Sequence, residues 1–228
     1  MKDAVPNPEP SLDDLNSPQP ERRLKVLSYV AVSGLSHPTL LARVTALLQD
    51  PHAAVRQSAA SVLAELAPES RSSVPALIQA LKHPDDLLRR RVCLALGEIG
   101  RDARAAVAAL IHCLQNDSCP AVRRHAAAAL GEIAAPMAID PLIETLRSED
   151  DRLRAIAAAS LKRLGRRALP RLLEALQHTH PRIRVAAVRL LSRCEQREMV
   201  RDKLAALHQD ADPEVRQAVH EALASDSL

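Results

Sequence analysis

The stretch AVRRHAAAALGEIA, residues 121–134, decides the fold because the chain repeats it. LLRRRVCLALGEIG (87–100) begins 34 residues earlier, and RLRAIAAASLKRLG (152–165) begins 31 residues later. All three copies have an arginine near the start and small or aliphatic residues at helical spacing after it. Recurrence with a period of about 20 to 50 residues is typical of proteins built from stacked structural repeats.

Seven copies can be aligned on the arginine that follows an apolar residue early in each, here called the anchor arginine. Successive anchors are 30–34 residues apart, and apolar residues stand three, seven and, in several copies, ten positions after them. Those offsets lie on one face of an α-helix, so each anchor is predicted in the first turns of an amphipathic helix. The anchors are Arg23, Arg56, Arg89, Arg123, Arg154, Arg184 and Arg216.

A shorter apolar segment precedes each anchor helix from the second copy on, as in SSVPALIQALK (72–82) and PMAIDPLIETLR (136–147). The breaks between the two segments, such as QDADPEV (209–215), contain proline and aspartate, which favour helix starts. The repeat unit is therefore predicted to be a helical hairpin. We expect an all-α solenoid over residues 17–225, with one N-terminal helix near 20–33 and about six hairpins. Residues 1–16 are predicted to be disordered and 226–228 to be a tail.

The composition agrees with thin, closely packed helical layers. The chain is 47% hydrophobic but has no Trp, no Phe and one Tyr. Alanine three residues after an anchor lets packed helices approach closely, so that bulky aromatic filler is not needed. Tetratricopeptide repeats use bulky aromatics and ankyrin repeats have a T-P-L-H turn, and neither signature occurs here.

The N-terminal sequence MKDAVPNPEPSLDD is polar and rich in proline. It has no apolar run of the kind found in secretory signal peptides. The sequence also has no run of about 18 apolar residues, the length that spans a membrane. We therefore expect a cytoplasmic protein with no membrane partner.

The pattern D-P-x-x-x-V-R-x-x-A-x-x-x-L-x-x-L resembles the HEAT family, and the resemblance covers about residues 17–225. The short period and the LGEIG endings look like the HEAT-like repeats of phycobilin lyases and of many bacterial proteins. The resemblance implies a helical solenoid and says little about function. It makes a scaffold or adaptor for a partner protein the expected function, with no catalytic residue and no cofactor.

The resemblance also implies a structural ladder between repeats, in which the anchor arginine joins an aspartate in the turn between the two helices. Three copies have an aspartate six residues before the anchor. Serine or histidine stands there in the others, as Ser17, His83, Ser148 and His178, and Asp85 or Asp86 is the candidate replacement in the third copy. The predicted ladder residues are Asp50, Arg56, Asp117, Arg123, Asp210 and Arg216.

Charge is the remaining functional signal. Residues 151–203 contain 14 Lys and Arg but only 5 Asp and Glu. Positions one, five, eight and twelve after an anchor lie opposite the apolar face, and a basic surface there suits an acidic protein partner. An ordinary solvent-exposed face is the alternative. The predicted partner-binding residues are Arg90, Arg124, Lys162, Arg166 and Arg189.

Two other functions are alternatives to a scaffold. A phycobilin lyase-like chromophore chaperone is the first alternative, although a large conjugated ligand favours aromatic contacts and the chain has no Trp and no Phe. Nucleic-acid binding is the second, and it is less favoured because no Trp or Phe is available in a groove. A di-iron site like that of deoxyhypusine hydroxylase is disfavoured because no His-Glu pair occupies the two positions directly after an anchor; the single pair His220-Glu221 stands three places too late.

Four glycines are predicted to end helices rather than to bind phosphate: Gly97, Gly100, Gly131 and Gly165.

Overall fold

The structure is a computed structural model that describes residues 10–194 and 197–224. These residues form thirteen α-helices, joined by short 3-10 turns, and no strand. They are α1 (Pro20–Ser33), α2 (Pro38–Ala46), α3 (Ala53–Glu65), α4 (Val74–Ala80), α5 (Asp86–Ile99), α6 (Val107–Asn116), α7 (Pro120–Ile133), α8 (Ile139–Thr145), α9 (Asp151–Leu164), α10 (Leu169–Ala175), α11 (Pro181–Leu191), α12 (Arg197–Ala205) and α13 (Pro213–Ala224).

The predicted fold class is confirmed, since one helix is followed by six pairs of helices. In each pair the second helix contains the anchor arginine, and α1 is the unpaired helix. We call the odd-numbered helices the second helices and the even-numbered ones the first helices. None of the described helices is both long and apolar enough to cross a bilayer.

The chain divides into two compact units, one that ends at Leu110 and one that starts at Ile111, so that the boundary falls within α6. Within the first unit, α1, α3 and α5 pack side by side, while α2 packs on α3 and α4 on α5. Within the second unit, α7 packs closely on α9 and α11 on α13. The first helices α8, α10 and α12 cover α9, α11 and α13 respectively. Each unit therefore has two helical layers with a core between them.

The predicted apolar row three residues after the anchors forms the centre of this core. All seven of its side chains are 0% exposed, although they differ in size. Burial of this row removes its apolar area from water, the main favourable term in folding. The row consists of Val26, Ala59, Val92, Ala126, Ala157, Ala187 and Val219.

The beginning of the chain differs from the expected disordered segment of residues 1–16. Leu12–Asn16 forms a 3-10 turn that packs on α1, and Leu15 is only 2% exposed. The side chain of Ser11 caps this turn by accepting the Asp13 main-chain N–H at 3.2 Å. Burial of one leucine explains why these residues are folded although their composition is polar. The rest of that segment, and the tail 226–228, lie outside the described residues.

Two of the four glycines predicted to end helices do so. Gly100 and Gly165 follow α5 and α9 with φ of 66° and 58°, a region in which a Cβ is unfavourable. Gly97 and Gly131 instead lie inside α5 and α7, which corrects the prediction. A Cβ at Gly131 would stand 2.5 Å from the Ser160 Oγ of α9, so this glycine permits close packing of two helices.

Candidate binding groove and arginine ladder

One side chain holds the turn that leads into each second helix. The residue six positions before the anchor accepts the main-chain N–H two residues later, at 2.9–3.2 Å in all seven copies. Serine, aspartate and histidine all carry an acceptor, so the departures from aspartate do not break the turn. We call these the turn residues: Ser17, Asp50, His83, Asp117, Ser148, His178 and Asp210.

Every anchor arginine is hydrogen-bonded to the turn that precedes its own helix. Its Nη1 donates to the main-chain carbonyl of the turn residue, at 2.5–2.9 Å in all seven copies. This contact needs no particular side chain at the turn residue, because the acceptor is a backbone oxygen. It fixes the guanidinium group beside the start of each second helix and leaves its remaining N–H groups available for a carboxylate.

Carboxylates in the turn before one second helix contact an arginine near the start of the preceding second helix, either the anchor or the residue after it, and we call each such contact a ladder pair. In the first unit, Arg23 Nε lies 2.8 Å from Asp50 Oδ2, and both side chains are buried. Arg56 Nη2 lies 3.8 Å from Asp85 Oδ2, which also accepts from Gln57 Nε2 at 2.9 Å. The aspartate therefore pairs with the arginine of the preceding repeat.

The ladder pairs of the second unit follow the same rule. Arg184 donates to both carboxylate oxygens of Asp210, through Nε at 2.9 Å and Nη2 at 2.7 Å. Between α7 and α9, Arg124 Nε lies 2.9 Å from Asp150 Oδ2. The anchor Arg123 binds the carbonyls of Asp117 and Ser118 in its own turn.

These contacts correct two sequence expectations. The aspartates Asp50 and Asp210 offer only their main-chain carbonyls to Arg56 and Arg216, which were the expected partners of their carboxylates. Arg124, expected on the partner surface, is held in a ladder pair instead, because the packing of α7 on α9 brings the start of α9 to it. Sequence spacing within one repeat cannot show which carboxylate a neighbouring repeat supplies.

The ladder aspartates have depressed pKa values. The hydrogen bond from Arg184 lowers the pKa of Asp210, against the opposing effect of burial. For Asp85, burial raises the pKa, but hydrogen bonds from Gln57 and from main-chain N–H groups outweigh it. For Asp150, burial is likewise outweighed by the Leu153 N–H and by Arg124, so its pKa is lowered. All three carboxylates are charged at neutral pH.

One ladder pair is missing between α9 and α11. Histidine occupies both positions from which other copies supply the aspartate, as His178 and His180. Within the described part of the second unit, Arg154 finds no carboxylate on α11 and pairs with Asp151 of its own helix. Accordingly α9 and α11 contact each other much less than α7 and α9 do.

A groove of about 800 Å³ opens at this point, and we call it the α9–α11 groove. Its floor consists mainly of alanine and aliphatic side chains, including Ala155, Ala158, Ala159, Ala186 and Leu190. Its charged lining is mostly basic and consists of Arg154, Lys162, Arg166, Arg182, Arg189 and Arg193, together with the acidic Asp151 and Glu214. The volume lies in the range of ligand-binding clefts, about 300–1,000 Å³.

Three of the basic residues have no acidic partner among the described residues: Lys162, Arg189 and Arg193. All three are exposed. By contrast, Arg182 Nη1 lies 2.7 Å from Glu149 Oε1, and this hydrogen bond raises the pKa of Arg182. The groove thus combines an apolar floor with cations that nothing in the described chain neutralises.

Of the five predicted partner-binding residues, three lie in the groove and two lie elsewhere. Lys162, Arg166 and Arg189 line the α9–α11 groove, where Arg193 and Arg182 join them. Arg124 belongs to the ladder, and Arg90 lies on α5 in the first unit, half-buried. The alanine floor was not predicted as part of the site. The doubled histidine at 178 and 180 was the available signal, since it departs from the aspartate pattern where the groove opens.

No cluster of three or more potential metal ligands occurs within the described ranges. The four cysteines, all within the described ranges, form no disulfide; Cys194 lies at the groove, while Cys93 and Cys113 are buried. The arrangement provides charge and apolar surface for binding.

Comparison with known proteins agrees with this architecture. The family model for HEAT repeats matches residues 74–162 and 139–224, and a second HEAT repeat model matches residues 40–70. No curated protein matches the sequence.

Solved structures with a similar fold are helical solenoids. The complex of CpcE and CpcF of phycocyanin lyase from Nostoc matches with a TM-score of 0.59 and 18% identity, covering 97% of both chains. Importin beta matches with a TM-score of 0.66 and 14% identity, over 93% of this chain and 34% of that one. Kap121p bound to Ste12p matches at 0.67 and 15%, over 93% and 28%. Because the sequence identities are this low, these matches show a shared fold and nothing about function.

Proposed function

Because this chain belongs to the HEAT-repeat family, we propose that it is a protein-binding scaffold that holds an acidic segment of a partner in the α9–α11 groove. The observation that carries the proposal is the set of three cations without acidic partners, Lys162, Arg189 and Arg193, around an alanine-rich floor. A rigid repeat surface also binds with little ordering cost, because its groove is already formed.

The side chains that line the groove determine which residues the bound segment should contain. Alanine side chains are short, so the space above them can take aliphatic side chains of the partner, whose burial is favourable. The cations at the rim are attracted to carboxylates and steer an acidic partner toward the groove. We therefore propose a segment in which aspartate or glutamate alternates with leucine- or isoleucine-like residues.

Selection of random peptides displayed on phage, with the immobilised protein as the target, tests this proposal. Enrichment of peptides with both acidic and aliphatic residues is expected. Enrichment of basic or uncharged peptides, or no enrichment at all, would contradict the proposal. The most enriched acidic peptide, labelled with fluorescein, then serves as the probe in anisotropy titrations.

A charge-reversed groove provides the matched comparison. The triple variant K162E/R189E/R193E is expected to lose most of its affinity for the probe peptide while its circular dichroism remains that of the wild type. The control R71E/R101E/R104E makes the same change in charge at exposed arginines outside the groove, and it should bind as the wild type does. Equal affinity in both variants would show that the groove is not the binding site.

A second candidate function is a groove that holds a linear tetrapyrrole, as expected of a phycobilin lyase-like chaperone. The similarity in fold to the phycocyanin lyase complex over 97% of both chains favours it. The lining of the groove opposes it, since no aromatic side chain is present to stack on a conjugated ligand. Visible absorption of the protein purified after co-expression with a bilin-producing pathway separates the two candidates.

A further inference from the structure

The α9–α11 groove is lined by the one anchor arginine of the second unit that faces a repeat without a ladder aspartate. We propose that a carboxylate of the bound segment pairs with Arg154 and so supplies the ladder pair that α9 and α11 lack. This inference rests on the proposed function, because it assigns one carboxylate of the acidic segment to a particular side chain.

The guanidinium group of Arg154 is already positioned for such a contact. Its Nη1 donates to the Ser148 carbonyl at 2.7 Å, which holds the guanidinium group in place at the groove. Its present acidic partner is Asp151, whose side chain is 86% exposed. Exposed pairs of this kind contribute little, so a carboxylate that arrives in the groove can share or replace the contact with Asp151.

The other ladder pairs show which ligand an anchor arginine accepts. Arg184 stands at the equivalent position of the next second helix, and its guanidinium group binds both oxygens of the Asp210 carboxylate. The planar fork of arginine matches a carboxylate in this two-point geometry. Arg154 has the same tether to its turn as Arg184, so it offers its remaining donors to the same chemical group.

The start of α11 shows that the chain lacks a carboxylate where the fold accepts one. His180 precedes α11 without capping it, and its Nδ1 is buried with no hydrogen-bond partner in the described chain. Asp85 and Asp150 occupy the same position in other repeats, where each caps its helix and forms a ladder pair. In the third repeat this occurs with a histidine turn residue, His83, as His178 is here.

The variant His180→Asp tests the proposal by supplying the carboxylate from within the chain. It reproduces the arrangement of His83 and Asp85, so the chain has a precedent for it. An aspartate paired with Arg154 should raise the melting temperature by about 2–4 °C. It should also lower the affinity for the probe peptide about tenfold, the effect of one lost charge-assisted hydrogen bond.

Two controls separate the ladder pair from simpler effects. His180→Asn caps α11 without a charge, and Thr179→Asp adds the same charge at the adjacent exposed residue. Both should bind the probe peptide as the wild type does. Adding Arg154→Gln to His180→Asp should remove the gain in melting temperature, because the aspartate then has no guanidinium group to bind.

The outcomes distinguish this inference from the proposed function. Wild-type affinity in His180→Asp, combined with loss of binding in K162E/R189E/R193E, would overturn the role of Arg154 and leave the groove as the binding site. Equal losses of affinity in His180→Asp and Thr179→Asp would also overturn it, since charge alone would explain them. If the wild type binds no acidic peptide, the proposed function fails and this inference fails with it.

Discussion

Gly131 of α7 lies so close to Ser160 of α9 that a Cβ at Gly131 would stand 2.5 Å from the serine Oγ and 2.9 Å from its Cα. Ser160 Oγ in turn donates to the Ala127 carbonyl of α7 at 2.9 Å. The two helices are thus held by a hydrogen bond at a point where only glycine fits.

We expect Gly131→Ala to destabilise the protein by about 1–3 kcal/mol, since the new methyl group meets the backbone of α9 as well as the serine side chain. Urea unfolding measures the change. By helix propensity alone the same substitution would stabilise the protein by about 1 kcal/mol, so the sign of the change decides whether the close contact exists.

Ala126→Leu should destabilise more than Ala121→Leu. Ala126 is 0% exposed in the row between the layers, whereas Ala121 is partly exposed at the start of α7. Overpacking a full core site costs about 1–3 kcal/mol, and the site at the helix start has room to relax. Thermal melts of the two variants provide the comparison. Equal stability would mean that the buried face of α7 is assigned incorrectly.

Asp210→Asn should lower the free energy of unfolding by about 1–3 kcal/mol at neutral pH, because it removes the charge that Arg184 binds at two points. The amide oxygen can still accept the Asp212 N–H, so the turn itself should remain. Asp212→Asn is the control. Asp212 caps α13 by accepting the Glu214 and Val215 main-chain N–H groups, and asparagine can accept the same hydrogen bonds. The stability of the Asp212→Asn variant should therefore stay close to that of the wild type.

The contribution of Asp210 should disappear in acid. Arg184 lowers the pKa of the folded carboxyl below that of an unfolded aspartate, about 3.9. The charged form therefore stabilises the fold fully above that value, and the stabilisation is lost as the pH falls through the lower, folded pKa. Urea unfolding between neutral pH and about pH 2 should show the wild type and Asp210→Asn converging only below about pH 4. A constant difference over the whole range would exclude an electrostatic origin.

Affinity for the acidic probe peptide should fall as salt rises from about 0.05 to 0.5 M, since exposed charges are screened over about 10 Å at 0.1 M. Anisotropy titrations at several salt concentrations test this. Affinity that does not change with salt would make the cations of the groove a solvated face only. If a nucleic acid binds instead, the logarithmic slope should follow the number of phosphates contacted.

The helices could be predicted from the sequence because their signal is local. The seven buried residues that follow the anchors recur at a fixed offset, and the offset alone identifies the face of the helix. For the ladder pairs, the sequence predicted that arginine pairs with aspartate but not which two residues form each pair. Asp50 stands six residues before Arg56 in the sequence, but the packing of α3 on α1 gives its carboxylate to Arg23.

The groove was harder to predict because it results from a contact that is absent. The basic composition of residues 151–203 identified Lys162, Arg166 and Arg189, yet charge counts do not show where two helices separate. Arg124 has the same charge and a similar helical position, and it is held by Asp150 because α7 and α9 remain in close contact. The number of arginines in a region is therefore a poorer guide to a binding surface than the identity of the residues that begin the next repeat.

The turn residues have a genetic consequence. Aspartate and histidine codons differ at a single base, and either side chain holds the turn, as Asp210 and His178 show. A point mutation at this position can therefore remove an inter-repeat carboxylate without unfolding the repeat, and the reverse mutation can restore it. A lineage of such proteins can therefore gain or lose an inter-repeat carboxylate by a single nucleotide change while the helices and the core between them stay the same.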